Sequence, residues 1–227
     1  MHTGSSREFG LSVALPATTQ SRLCAPKMTD LFEIIRQEQP RIPGWCSLDK
    51  SLTLASLVVA LRPAISLEIG IYGGSSIVPI LLAHKWTGLG VVVGIEPWSA
   101  DEAMKAQTNP TDVEWWGKQN YGDLHFNFQA LIQRLGVADI LMLHRKPSRH
   151  VEPPPGIGLL HIDGAHDNVA IQDVVRFAPQ VVIGGVCVMD DLNWSGGAVT
   201  RAAMRLEQLG FRLLYPIGTG AVYQRVR

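Results

Sequence analysis

The chain has 227 residues, of which 46% are hydrophobic, and its 20 Lys and Arg residues balance its 20 Asp and Glu residues. This balance gives no overall basic surface for nucleic acid and no polybasic tract for a membrane surface. No apolar run approaches the roughly 20 residues that cross a bilayer. We therefore expect a globular protein that binds a small molecule, with no nucleic acid and no membrane partner.

Three cysteines, Cys24, Cys46 and Cys187, are too few and too widely spaced for a disulfide framework. They favour a reducing compartment, and the first residues lack the charged start and apolar core of a signal peptide. We therefore expect a cytoplasmic protein. The length fits one α/β domain, so we predict a flexible Ser- and Thr-rich tail at residues 1–27 and a single domain at residues 28–227.

The predicted elements alternate between helices and strands. A helix at 31–38 and a second that begins near Leu48 and ends before Pro63 precede a strand at 64–69, a glycine-rich turn at 70–74 and a helix that continues to 84. Strands follow at 91–95, 140–143, 159–162 and 181–189, then a helix at 198–209 and strands at 211–215 and 220–224. This order predicts a doubly wound, mostly parallel sheet that binds ligands outside the carboxyl ends of its strands.

The segment at residues 97–128 interrupts this alternation. It is rich in aromatic residues and shows no clean periodicity. Two interpretations are equally good: a lid over the crevice, or an irregular insertion whose aromatic side chains pack onto the domain.

Carboxylates follow two of the predicted strands at the points where these strands end. Asp163 follows the strand at 159–162, and Asp190 and Asp191 follow the strand at 181–189. A right-handed strand-helix-strand unit would make these strands parallel, and neighbours about 5 Å apart would bring the carboxylates together. A single Asp at a strand end more often caps a loop, but three acids with His166 beside them favour a metal site.

The sequence LEIGIYGGSS at residues 67–76 has the form of a strand followed by a glycine turn and a helix. Such a turn lets a ligand approach backbone amides at the start of the helix. A dinucleotide fingerprint needs a second glycine where this chain has Tyr72, so pyrophosphate is disfavoured. Glu68 and Glu96 instead supply carboxylates for a cationic group and for ribose hydroxyls. S-adenosylmethionine has both features.

Residues 47–194 resemble the class I S-adenosylmethionine-dependent O-methyltransferases, specifically the metal-dependent branch of catechol, caffeoyl-CoA and macrolide-sugar O-methyltransferases. Ser47 and Asp49 are similar to a segment that precedes the first motif of that branch. The motif itself reads LE-apolar-G-x-Y-x-G-x-S, and it is matched by Leu67, Glu68, Gly70, Tyr72, Gly74 and Ser76. The resemblance implies a seven-stranded, Rossmann-like methyltransferase fold with an antiparallel C-terminal strand.

The resemblance also implies where the cofactor binds. Ser148 would lie near the adenine, Glu96 would bind the ribose, and Asp163 would contact both cofactor and metal. The methionine part would be surrounded by Glu68, Gly70, Tyr72, Gly74 and Ser76.

In that family an Asp at the first acidic strand end and an acidic pair at the second bind the metal, and Asp163, Asp190 and Asp191 occupy these positions. Carboxylate oxygens suit Mg²⁺. The pair is Asp-Asp here, whereas the family has Asp-Asn or Glu-Asp, which leaves the acceptor class open. The family's general base lies three residues after the first metal Asp, the position of His166. Ala165 replaces an Asp of the caffeoyl-CoA enzymes, so that contact is missing.

The acceptor would be the hydroxyl of a small molecule such as a vicinal diol, a phenol or a sugar. Trp115, Trp116 and Trp194 could form a wall for a planar phenol or a sugar face, and Asn193 could hydrogen-bond a hydroxyl.

Two other functions stay open at this point. A nicotinamide-dependent dehydrogenase would use Glu96 for the ribose but would meet Tyr72 at the pyrophosphate position. A catalytically idle relative would bind metal or nucleotide and act through partners. The short C-terminal pair of strands is compatible with a homodimer, as in many relatives.

Overall fold

The computed structural model describes residues 28–107 and 109–227, and the tail predicted at residues 1–27 lies outside the described residues. Two helices, α1 (Met28–Glu38) and α2 (Leu48–Leu61), precede the first strand, β1 (Ile65–Ile69). The Ser47 side chain caps α2, because its hydroxyl oxygen accepts a hydrogen bond from the backbone N–H of Lys50.

The rest of the chain alternates much as the sequence predicts. The elements are α3 (Ile77–Thr87), β2 (Val91–Ile95), α4 (Ala100–Lys105), α5 (Pro110–Gly117), α6 (Tyr121–Leu135), β3 (Leu141–His144), β4 (Ile157–Ile162), α7 (Asn168–Phe177), β5 (Val181–Met189), α8 (Ala198–Gln208), β6 (Phe211–Ile217) and β7 (Gly220–Arg225).

The seven strands form one sheet in the order β3-β2-β1-β4-β5-β7-β6. Strands β1 to β5 are parallel, whereas β7 runs antiparallel to both β5 and β6. The chain reverses its direction of winding between β1 and β4, which is where a doubly wound sheet opens a crevice. The predicted fold class, including the antiparallel C-terminal strand, is confirmed.

Backbone hydrogen bonds continue past the carboxyl ends of the central strands. The Asp163 N–H donates to the Ile69 carbonyl at 2.9 Å, and the Asp190 N–H donates to the Ile162 carbonyl at 3.0 Å. The residues that follow β1, β4 and β5 are therefore held side by side at one edge of the sheet.

Helices bury both faces of the sheet. On one face, α2 and α3 contribute fully buried side chains such as Leu54 and Leu81. On the other face, α7 and α8 contribute Phe177 and Leu206, which are also fully buried. Burial of this apolar area stabilises the sheet and fixes the positions of its strand ends.

The segment at residues 97–128 is helical rather than irregular, and it forms α4, α5 and the first half of α6. Ser99, Asn109 and Asn120 cap these helices by accepting hydrogen bonds from backbone N–H groups three residues later. An acidic residue stands at each of those later positions, namely Glu102, Asp112 and Asp123. This pattern resembles a capping box, which marks the start of a helix even where the apolar residues show no clean period.

Within the described ranges, no helix is long and apolar enough to cross a membrane. Cys46 and Cys187 are buried free thiols, and burial raises the pKa of each.

Candidate active site

The turn after β1 brings the main chain against the end of β4. Gly70 has a φ of +91°, and a Cβ atom built on it would lie 2.1 Å from the carbonyl oxygen of Asp163. Any side chain at this position would clash with main chain, so glycine is required. The turn continues through Tyr72, whose φ of 49° is also positive, and leads into α3.

Glu96, which follows β2, holds this turn in place. Its Oε2 atom accepts hydrogen bonds from the backbone N–H groups of Ile71 at 3.0 Å and Tyr72 at 3.1 Å, and Oε1 accepts one from Trp98 at 3.0 Å. Burial raises the pKa of Glu96, and the three N–H groups oppose this rise because they favour the carboxylate. Oε1, which accepts a single hydrogen bond, keeps lone-pair capacity for a ligand hydroxyl.

A cavity of about 780 Å³, measured with its open mouth, lies between this turn and the α4–α6 segment. Residues from α4, α5 and α6 form one wall of the cavity, so the 97–128 segment borders it directly. The predicted site residues that line the cavity are Gly70, Tyr72, Glu96, Trp116, Ser148 and Asp163.

Three other predicted cofactor residues contact protein atoms around the turn. Glu68 is fully buried, and its Oε1 accepts a hydrogen bond of 2.6 Å from the Ser76 hydroxyl. Its Oε2 lies 3.1 Å from Nδ1 of His161. A Cβ atom on Gly74 would lie 2.8 Å from the Phe128 ring. Glu68, Gly74 and Ser76 therefore shape the turn through contacts to the protein.

Asp173, which the sequence analysis did not single out, lines the same cavity beside Ser148. Burial raises the pKa of Asp173 to about 6, against the opposing effects of a hydrogen bond with Ser148 and the charge of Arg176. The sequence did carry a signal for this residue. Asp173 shares the buried face of α7 with Ala170 and Val174, and an acid on an apolar helix face indicates a buried polar site.

Asp163 and Asp190 meet at the ends of β4 and β5, as their spacing predicts. Lys50 of α2, which is only 6% exposed, reaches between them. Its Nζ atom contacts Oδ2 of Asp190 and lies 3.8 Å from Oδ2 of Asp163. Burial raises the pKa of Asp163 to about 6, while the charges of His161 and Lys50 oppose this effect. Side-chain atoms of His161, Asp163 and Asp190 lie within 4.8 Å of one another, a spacing that could hold a metal ion.

The sequence analysis missed Lys50, although its helix carried a signal. Lys50, Leu54 and Val58 share one face of α2 at a spacing of four residues, and all three are buried. A lysine on an apolar face needs a buried anion, and the two strand-end aspartates provide it.

Asp191, the third predicted metal ligand, pairs with the predicted base. Its φ of 52° is positive, and its Oδ2 lies 3.0 Å from Nε2 of His166. The His166 ring stacks on Trp194, with centroids 3.9 Å apart and an angle of 16° between the planes. Burial opposes ionisation of Asp191, but the hydrogen bond and charge of His166 bring its pKa below the usual range. Thr219 links the pair of aspartates, with its hydroxyl 2.9 Å from Asp190 and 3.3 Å from Asp191.

A second, smaller cavity of about 200 Å³, measured in the same way, is lined by Asp163, His166, Asp190 and Asp191 among others. The two cavities share three lining residues, Asp163, Gly164 and Ala165. The acids and His166 therefore stand directly beside the large cavity rather than elsewhere on the molecule.

An aromatic cluster lies beside the large cavity. Trp45, which is 67% exposed, packs 5.0 Å from Tyr72, 5.6 Å from Trp115 and 5.9 Å from Trp116, measured between ring centroids. The sequence analysis named Trp115 and Trp116 but missed Trp45, because it stands about 70 residues earlier in the chain. Asn193, the remaining predicted acceptor residue, is exposed.

Comparison with known proteins identifies the family. A protein-family model described as "Methyltransferase domain" matches residues 67–192, from β1 to just past the end of β5. The chain belongs to the methyltransferase family. This match covers the glycine turn, both acidic strand ends and His166, and it decides between the methyltransferase and dehydrogenase interpretations. No curated protein matches the sequence of this methyltransferase.

Solved structures share the fold of this methyltransferase at low sequence identity. An O-methyltransferase from Bacillus cereus in complex with S-adenosylhomocysteine is 17% identical, with a TM-score of 0.54 over 91% of this chain and 94% of that one. The O-methyltransferase TomG from Streptomyces achromogenes, in complex with S-adenosylmethionine, is 15% identical, with a TM-score of 0.55 and the same coverage. The S-adenosylhomocysteine-bound methyltransferase PaMTH1 from Podospora anserina is 15% identical, with a TM-score of 0.56 over 96% and 100%.

Proposed function

We propose that this protein is an S-adenosylmethionine-dependent O-methyltransferase that acts on a hydroxyl of a small molecule with the help of a divalent cation such as Mg²⁺. The observation that carries the proposal is the wall shared by the two cavities. A donor bound at the glycine turn would meet, across Asp163 and Gly164, an acceptor bound near Asp190 and His166.

The cofactor would bind in the large cavity. Gly70 leaves the space that a side chain would fill, so a ligand can approach the backbone there. Glu96 keeps lone-pair capacity on Oε1 for a ribose hydroxyl, and the Tyr72 ring would favour a positively charged sulfonium. Ser148 and Asp173 also line the cavity and would contact the adenine. The Bacillus structure contains S-adenosylhomocysteine and the Streptomyces structure contains S-adenosylmethionine, which supports this assignment.

The metal would be bound by Asp163 and Asp190, with Asp191 as a third ligand through the oxygen that does not contact His166. Carboxylate oxygens are the ligands that Mg²⁺ prefers. The buried ammonium of Lys50 between two of these carboxylates supports the fit, because it demonstrates that the cluster stabilises a cation. A bound divalent ion would lower the pKa of an acceptor hydroxyl.

His166 would remove the proton from the acceptor hydroxyl. When its Nε2–H donates to Asp191, its Nδ1 atom keeps a free lone pair. Nδ1 is buried and has no hydrogen-bond partner within the part of the chain that the structure describes. Stacking on Trp194 fixes the plane of the ring. The side chains thus orient a base at the edge of the small cavity.

The acceptor would be planar or carry an apolar face. The cluster of Trp45, Tyr72, Trp115 and Trp116 offers aromatic surface beside the large cavity, which suits a phenol or the face of a sugar. Trp194, which stacks on His166, adds a further aromatic surface, and Asn193 could donate to a second hydroxyl.

The first test is calorimetric titration of the purified protein with S-adenosylmethionine. We expect micromolar binding by the wild type and a loss of binding in Gly70→Ala, because the added Cβ would clash with Asp163. Gly218→Ala is the matched control, since Gly218 also has a positive φ, of 58°, but no atom within 4 Å of the added Cβ.

A second test measures methyl transfer to vicinal diols, phenols and sugars with Mg²⁺ or with a chelator. Transfer that requires Mg²⁺ supports the full proposal. A folded wild type without cofactor affinity would refute the methyltransferase activity. Cofactor binding without transfer to any acceptor class would instead favour a catalytically idle relative.

A further inference from the structure

The ammonium group of Lys50 lies between the carboxylates of Asp163 and Asp190. The Lys50 side chain is 7% exposed, and within the described residues its Nζ atom has ion-pair contacts with Asp163 and Asp190. A divalent ion that bridged these two carboxylates would need the same space. We propose that Lys50 acts as a tethered cation that competes with a divalent metal ion for Asp163 and Asp190.

Charge balance makes the two cations alternatives. The ionised pair carries two negative charges, of which Lys50 balances one and a divalent ion would balance both. Both cations together would exceed the charge of this pair by one and would repel each other at short range. Metal binding therefore requires the Lys50 ammonium to leave Asp190.

His161 gives an independent indication that this position receives a cation. It is fully buried, its Nδ1 atom lies 3.1 Å from Oε2 of Glu68, and its Nε2 atom has no hydrogen-bond partner among the described residues. The Nε2 atom lies 4.0 Å from Oδ2 of Asp190, and His161 forms a potential ligand set with Asp163 and Asp190. A buried imidazole nitrogen that lacks a partner and lies beside two carboxylates is suited to binding a metal ion.

In the metal-free protein, Asp163 and Asp190 are therefore already paired with a cation, Lys50. Two carboxylates this close together, with Asp190 buried, would be strongly unfavourable without a cation, and Lys50 removes this cost before any metal arrives. The metal must then displace a buried ion pair, which weakens its apparent affinity. Lys50 thereby adjusts the metal dependence of the reaction, an inference that rests on the metal site of the proposed function.

The test is calorimetric titration of the full chain with Mn²⁺, without cofactor. Lys50→Met keeps the apolar stem and removes the charge, so we expect it to bind Mn²⁺ at least about tenfold more tightly than the wild type. Lys50→Arg keeps the charge and should resemble the wild type. Adding Asp190→Asn to Lys50→Met should abolish the gain. Equal or weaker binding by Lys50→Met than by the wild type would overturn the inference.

A second measurement uses the wild type, in case Lys50→Met does not fold. Reductive methylation of lysines with formaldehyde and cyanoborohydride is followed by peptide mass spectrometry, with and without Mn²⁺. We expect bound Mn²⁺ to speed the modification of Lys50 severalfold and to leave Lys118 unchanged, since Lys118 is 70% exposed on α5's C-terminal cap. An unchanged rate at Lys50 with Mn²⁺ bound would contradict displacement.

Cofactor affinity is measured on the same proteins. A failure to bind S-adenosylmethionine would refute the proposed methyl transfer but would not change the Mn²⁺ result. A failure of Lys50→Met to gain Mn²⁺ affinity, with cofactor binding intact, would refute the role of Lys50 alone.

Discussion

The Asp191 carboxylate lies 3.0 Å from Nε2 of His166, so the residue predicted as a metal ligand also orients the residue predicted as the base. The two roles are compatible because a carboxylate has two oxygens. Oδ2 of Asp191 contacts the imidazole, and Oδ1, which lies 3.3 Å from the Thr219 hydroxyl, would be the oxygen offered to a metal ion.

Loss of this contact should affect chemistry and leave cofactor binding unchanged. We expect His166→Ala to lower turnover by at least about 100-fold, since a general base contributes that much or more. Asp191→Asn should lower turnover as well, because an amide no longer favours the Nε2–H tautomer. Calorimetry should give the same S-adenosylmethionine affinity for both variants as for the wild type. His150→Ala, at an exposed histidine, is the control, and wild-type turnover in His166→Ala would remove His166 from the mechanism.

Asp173 should destabilise the protein at neutral pH. Its folded pKa of about 6 lies above the ordinary value of 3.8, so the folded state binds the proton more tightly, and stability falls as the pH rises from about 4 through 6. Asp173→Asn should therefore raise the free energy of unfolding at pH 7, by as much as about 3 kcal/mol. The gain should disappear below pH 4.

Urea unfolding at several pH values measures this effect. Asp139→Asn, at an exposed acid, controls for the loss of one charge. A gain that is the same at pH 4 and pH 7 would contradict the assigned cause. Since Asp173 lines the cavity, the same variant also reports whether the carboxyl contributes to cofactor affinity.

The ion pair between Glu102 and Arg149 connects α4 to the chain beside Ser148. Arg149 donates two hydrogen bonds to Glu102, at 2.6 and 3.0 Å, and these lower the pKa of Glu102 to about 2. Because that pKa is depressed, the stabilisation is present above pH 4.5 and is lost only as the pH falls toward 2. The pair is partly exposed, so its contribution is about 1 kcal/mol or less.

Glu102→Gln should therefore have little effect on the free energy of unfolding but should weaken cofactor binding severalfold, because α4 forms part of the cavity wall. Calorimetry at low and high salt tests this prediction. Glu114→Gln is the matched control, since Glu114 forms an exposed pair with Lys118 within one short stretch of chain. Identical cofactor affinities for the two variants would show that the ion pair between Glu102 and Arg149 does not contribute to cofactor binding.

Trp45 should contribute to acceptor binding. Trp45→Ala removes one ring from the aromatic cluster, and we expect the acceptor KM to rise about three- to tenfold with little change in kcat, as for the loss of one aromatic contact. Phe126→Ala is the control, because Phe126 is 70% exposed, close to the 67% of Trp45, but lies outside the cluster. Equal KM values for both variants would contradict the assignment.

The site residues that the sequence predicted are those that directly follow a strand, because the end of the strand determines their position. Asp163 and Asp190 follow short apolar runs, and parallel strands must align their carboxyl ends, so their meeting followed from pattern and topology alone. Gly70 and Glu96 were predicted for the same reason. The alternation of helices and strands likewise predicted the sheet, because each run was long enough to show its period.

Lys50, Trp45 and Asp173 were not predicted, for physical reasons that they share. Lys50 and Trp45 reach the site from segments distant in sequence, and Asp173 reaches it from the helix after β4. In each case the partner is defined only by packing. Asp191 was predicted as a ligand, but a positive φ after the strand turns its side chain toward His166. Backbone conformation at a single residue of this kind has no signature in the surrounding sequence.

The position of Asp163 in the walls of both cavities has a thermodynamic consequence. A ligand in either cavity changes the electrostatic environment of the same carboxylate, so the two binding equilibria are coupled. By linkage, the factor by which S-adenosylmethionine changes metal affinity must equal the factor by which metal changes S-adenosylmethionine affinity. The order in which the two ligands bind would then set rates but not the final occupancy.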